Sequence, residues 1–224
     1  MKILSVETSG LEASIALSDE GQLLAEQVLD TAGGRNARLL VPAVAEVLQQ
    51  FSIQSTHIDV IAVSVGPGSF TGLRVGVVFA KTFAWINGVK LVAIDTLQGL
   101  AQRAMPTGSE ITVISDAQRG DVFVNSYRSG KGVVEPVGTV RIQSMVTVLT
   151  ELREHHSQLL TGPGVKKFAD QIPSVITRAA DDRLLPRASA LLPVAERMIS
   201  AEKWADPDTL EPVYLRRSYA EEKK

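Results

Sequence analysis

The chain contains no cysteine, which excludes disulfides, thiolate nucleophiles and zinc–thiolate sites from the outset. Histidine is scarce: His57, His155 and His156 are the only three. None has the i, i+4 spacing of a helical metal site, so solvated surface positions are expected for all of them. Counting alone leaves a Ser-His-Asp triad open, but no Gly-x-Ser-x-Gly elbow surrounds a serine. Strong charge of one sign is also missing. A formal net charge of −2 over 224 residues provides no general attraction to nucleic acid or anionic membrane. Contact with RNA is therefore expected to be local or supplied by a partner. No apolar run reaches the roughly 18 residues needed to span a bilayer. The N-terminal Met1–Glu7 meets a carboxylate too early for a signal peptide. A soluble cytoplasmic protein without a membrane partner is expected.

What is present reads as alternating α and β structure. Lys2 to Glu7 and Ala13 to Ser18 are strand-like runs around the turn Thr8-Ser9-Gly10-Leu11-Glu12, and Gln22 to Leu29 adds a third strand. The pattern then predicts a helix over 37–51, a strand over 59–65 and a helix over 71–86. A strand over 90–94 and a helix over 96–105 follow. Pro106-Thr107-Gly108-Ser109 is the strongest punctuation in the chain, and a lobe boundary is expected there, giving residues 1–108 and 109–224. The second half opens as the first does. Strands over 110–115 and 121–127 flank a glycine-bearing turn, with Asp116 where Glu7 stands in the first half. Helices over 142–154 and 188–202 are expected beyond it, with a short strand at 158–161 between them. The recurrence points to an internal duplication of an α/β unit in which mixed sheets are flanked by helices. The C-terminal tail is expected to pack back on the first lobe.

The densest signal is Gly66-Pro67-Gly68-Ser69-Phe70-Thr71-Gly72-Leu73-Arg74-Val75-Gly76. It joins a strand to a helix N-terminus, a geometry that suits anions. The Lys-Ser/Thr pair of a P-loop is absent, so a plain tight connection competes with a phosphate loop. Glu7 and Asp116 carry a similar ambiguity. They could share a nucleotide-bound Mg²⁺, or each could stabilise its own turn.

Two helices are more apolar than a sheet-covering helix requires. In the first, Leu40, Val44 and Val47 fall on one face, while Val41, Ala45 and Leu48 fall on another. In the second, Arg74 and Lys81 are the only charges, and Gly72, Gly76, Ala80 and Ala84 recur every four residues. Either the chain buries both faces itself, or an apolar patch meets another subunit.

Four blocks occur in the order found in the bacterial TsaB (YeaZ) family: Ile3–Ser9, Gly66–Gly76, Asp116–Tyr127 and Glu211–Arg216. They span nearly the whole chain, and it resembles that family in length as well. The resemblance implies two ribonuclease-H-like lobes of the actin-like ATPase superfamily. It implies a non-catalytic scaffold that dimerises with TsaD, the subunit that transfers a threonylcarbamoyl group to tRNA adenosine beside the anticodon. The ATPase TsaE joins through that complex, tRNA is met indirectly, and a homodimer forms when the chain is alone. The Asn-His-x-x-x-His metal motif of TsaD has no counterpart here. No catalytic, cofactor or metal residue is therefore assigned, and Mg-ATP or an adenylate is expected only at the complex interface. Since the family associates through its first two helices, the expected interface residues are Leu40, Val44, Val47, Gly72, Leu73, Gly76, Ala80 and Phe83. Two departures, Glu7 for a first-strand Asp and Gln118 in place of Arg after Asp116-Ala117, argue against transferring an ATP site. The alternative is a self-sufficient actin-like ATPase or kinase using Glu7 and Asp116.

Overall fold

A computed structural model describes residues 1–29, 36–105, 110–130, 132–154 and 158–216. His155, His156 and the punctuation at 106–109 lie outside the described residues, while His57 is exposed in a one-turn 3-10 helix. The chain divides into two compact units. One comprises Met1–Thr96 with Arg187–Val213, and the other comprises Leu97–Pro186 with the chain from Tyr214 onward. The division thus falls after Thr96 instead of after residue 108, and a later segment returns to the first unit.

In the first unit, β1 (Lys2–Glu7), β2 (Ala13–Asp19) and β3 (Gln22–Leu29) form an antiparallel meander. After α1 (Asn36–Gln50), β4 (Val60–Gly66) pairs in parallel with β1. Then α2 (Phe70–Asn87) leads to β5 (Lys90–Asp95), completing the sheet order β3-β2-β1-β4-β5. Every residue of β4 is buried, as expected of a central parallel strand covered on both faces. Leu4, Val6, Ile15, Leu17, Ile61 and Val63 of the sheet form one core with Leu40, Val44 and Val47 of α1 and Val77, Ala80 and Phe83 of α2. The termini of α2 are well specified. Ser69 accepts from the Gly72 amide at the start, and Gly88 adopts a left-handed φ of 66° at the end.

The second unit repeats the plan. Beyond α3 (Thr96–Ala104), β6 (Glu110–Asp116) pairs antiparallel with β7 (Asp121–Ser129). The short β8 (Val134–Pro136) and β9 (Arg141–Ser144) both join β7. After α4 (Met145–Glu154), β10 (Gln158–Thr161) pairs in parallel with β6, and the four-residue α5 (Gly164–Lys167) follows. Each sheet is therefore built on an antiparallel hairpin whose first strand takes a parallel partner on its other side. This is the duplicated ribonuclease-H-like architecture the sequence implies. One expected helix is shorter than its apolar pattern. Residues 142–144 pair with β7, and the Ser144 hydroxyl accepts from the Thr147 amide at 3.2 Å, so the helix begins only after this cap.

The last helix, α6 (Leu191–Ser200), returns to the first sheet after a 3-10 turn at Ala188–Ala190. That turn is held by polar groups. The Ala188 amide donates to Ser14 Oγ at 2.9 Å, Ser5 Oγ donates to the Ala188 carbonyl at 2.8 Å, and the Ser189 amide donates to Glu26 at 2.8 Å. No helix among the described residues is long and apolar enough to cross a membrane.

Candidate partner-binding face

The glycine-rich run is filled by the chain's own backbone. The Ser69 amide donates to the Ser9 carbonyl at 2.7 Å, and the Leu73 amide donates to the Ser69 carbonyl at 2.8 Å. Thr8 Oγ1 donates to the Gly72 carbonyl at 2.8 Å. A Cβ on Gly68 would lie 2.6 Å from the Ser9 carbonyl oxygen. On Gly72 it would overlap the Thr8 carbonyl, and on Gly76 the Thr8 hydroxyl. The small residues on α2 thus form a seat for the β1–β2 turn, at separations that no side chain permits.

The seat also bears on the expected interface residues. Leu40, Val44, Val47, Gly72, Leu73, Gly76, Ala80 and Phe83 are all buried within the first unit. Small residues do mark close approach, but the approaching element belongs to the same chain. The other side of α2 is open and still apolar. Val78 is 61%, Trp85 78% and Ile86 69% exposed, with Val75 and Phe79 half-buried beside them. Positions 71, 74, 75, 78, 82, 85 and 86 share one helical face. Arg74 lies on it, its guanidinium 4.1 Å from the centre of the Phe70 ring. On α1 the outward positions 38, 41, 42, 45, 46 and 49 likewise include Val41, which is 58% exposed. The charge at Arg74 already marked the solvent side in the sequence. Val78 and Trp85 follow from it at helical spacing.

A family model described as TsaD, tRNA N6-adenosine threonylcarbamoyltransferase, matches residues 30–224. The tRNA threonylcarbamoyladenosine biosynthesis protein TsaB of Bacillus subtilis is 31% identical over 230 residues, covering 100% of this chain and 97% of that one. This chain belongs to the TsaB family. TsaB of Escherichia coli is 28% identical over 98% of this chain and 96% of its own length. A crystal structure of a Pseudomonas aeruginosa protein with similarity to the peptidase YEAZ superposes with a TM-score of 0.83, at 25% identity over 96% of this chain and 99% of that one.

In this TsaB-family chain, the two carboxylates that suggested nucleotide chemistry are tied to their own turns. Glu7 is 1% exposed, and its Oε1 accepts from the Ser9 amide at 2.6 Å. Asp116 accepts from the Gln118 amide at 2.8 Å and pairs with Lys167 at 2.5 Å. Among the described residues, no three His, Asp or Glu side chains converge as a metal site.

Burial raises the Glu7 carboxyl above the usual carboxylate range, and the hydrogen bond from the Ser9 amide only partly offsets this. A carboxyl whose folded value lies above its unfolded value stabilises the fold most at low pH. That contribution is lost as pH rises through the folded value. Glu7→Gln keeps the acceptor for Ser9 and removes the ionisation. The variant is expected to melt higher than the parent at pH 7.5, with a gain of roughly 2–4 °C for each kcal/mol regained. Thermal unfolding from pH 5 to 8 checks this. The gap should close toward pH 5, and a gap that widens there would reverse the assignment.

Proposed function

We propose that this chain is a non-catalytic subunit in the biosynthesis of threonylcarbamoyladenosine on tRNA. In this reading it pairs with TsaD through the outward faces of α2 and α1 and holds TsaD competent for threonylcarbamoyl transfer to the adenosine next to the anticodon. The observation that carries the proposal is the open apolar stripe Val78, Trp85 and Ile86 on a helix whose opposite side is fully used by its own core. An exposed apolar stripe of this kind is suited to cover by another protein. The full-length match to proteins named for this pathway supports a partner from the same pathway.

The subunit contributes by binding one TsaD conformation better than another, which shifts that population toward the active form. TsaE is reached through the complex, tRNA is contacted indirectly, and Mg-ATP or an adenylate belongs to the complex interface. Without TsaD, two copies cover the same face by homodimerising. Mixing the full chain with TsaD and following size-exclusion elution with light scattering tests this. Co-elution with loss of the homodimer is expected, and separate elution at micromolar concentrations would overturn the proposal. Calorimetric titration of the isolated chain with Mg-ATP addresses the self-sufficient ATPase or kinase using Glu7 and Asp116. Micromolar binding with turnover lost in Asp116→Ala would favour that alternative.

A further inference from the structure

The chain passes between its two units at Thr96–Leu97, Pro186–Arg187 and Val213–Tyr214. The middle crossing enters the first unit through its own clamp. Arg187 pairs with Glu12 at 2.6 Å, and the backbone of Ala188 is held by Ser5 and Ser14. The other two crossings meet at one amide. The Gly66 N–H donates to Thr96 Oγ1 at 3.2 Å, and the Val65 carbonyl accepts from the Val213 N–H at 2.7 Å.

That carbonyl and that N–H are the two ends of a single planar peptide group. Thr96 is the last residue of the first unit before the first crossing, and Val213 is the last before the third. Gly66 makes the arrangement possible. Its φ is +124°, and a Cβ there would stand 2.6 Å from the Val213 carbonyl oxygen. Thr96 is buried, so its bond to Gly66 has little competition from water.

We propose that the Val65–Gly66 peptide is a shared pin for these two segments of the first unit. It ties the first and third crossings together, so that they loosen as one and independently of the clamp at Ala188. Because the plane is rigid, a rotation that frees its N–H from Thr96 also turns its carbonyl away from Val213. The inference goes beyond the partner-binding reading and does not depend on it.

Amide hydrogen exchange on the full chain, resolved by residue, tests the coupling. Thr96→Val keeps the side-chain shape and removes the acceptor. Exchange at Gly66 is expected to rise, and exchange at Val213, which makes no hydrogen bond to Thr96, is expected to rise at least tenfold with it. Thr96→Ser, which restores the oxygen, should return both to parental rates. Ser14→Ala should accelerate Ala188 and leave Gly66 and Val213 unchanged. Should Thr96→Val fold poorly, Val213→Pro provides the reciprocal test, and Gly66 should accelerate there. Acceleration of Gly66 in Thr96→Val with Val213 unaffected would mean two independent bonds and would overturn the pin. Equal acceleration at Ala188 would mean general loosening and would overturn it as well.

Discussion

Replacing Trp85 with aspartate should abolish the proposed complex with TsaD and leave the fold of this chain intact. The side chain is 78% exposed, so it contributes little to the core, and surface substitutions of this kind usually cost within about 0.5 kcal/mol of stability. At an interface the same residue type dominates. Buried tryptophan anchors lose roughly 2–4 kcal/mol on truncation, equivalent to about 30- to 1,000-fold in Kd. Aspartate adds the cost of taking a charge out of water. Val78→Asp, on the same stripe, should act in the same direction. Calorimetry against TsaD combined with thermal melting separates the two effects. A variant that melts like the parent and binds like it would remove this face from the proposal. Bulky changes at Gly76 or Ala80 make a poorer test, because both positions are buried in the chain's own core.

Gly72→Ala is expected to destabilise the protein severely, by about 3–5 kcal/mol. At about 2–4 °C per kcal/mol for a chain of this length, the melting temperature should drop by roughly 10 °C. The sign is the informative part. In an ordinary helix interior, exchanging glycine for alanine stabilises by about 1 kcal/mol. Here the new methyl group would overlap the Thr8 carbonyl, a backbone atom with no rotamer to escape into. The helix would have to leave the sheet or the β1–β2 turn would have to open, breaking the bonds from Thr8 to Gly72 and from Ser69 to Ser9. An unchanged or raised melting temperature would show that the glycine run is not a seat. Thr8→Val should cost less, because it removes one hydrogen bond and introduces no overlap.

Much of the architecture was legible because its signals are local. The buried apolar run of β4 and the hairpin at β1–β2 each follow from residues close in the chain. The repeat of strand, carboxylate and glycine turn at Glu7 and Asp116 announced the duplicated plan. Where the reading slipped, the deciding partner was remote. Residues 142–144 have a helix-compatible pattern, yet pairing with Val122 and Phe123 makes them a strand. The segment after Pro186 belongs to the first unit because Ser5 and Ser14 reach Ala188 across a separation of more than 170 residues.

The candidate site shows the same division. Composition and spacing were enough to show that α1 and α2 carry more apolar surface than a sheet requires, that no thiol chemistry is available, and which family the motifs resemble. Periodicity is blind to which of two apolar faces turns inward, since it records spacing around a helix and not what stands opposite. That choice rests on contacts remote in sequence. The fold set the Thr8–Ser9 turn against Gly68, Gly72 and Gly76, where atoms approach too closely for any side chain, and so left Val78, Trp85 and Ile86 in solvent.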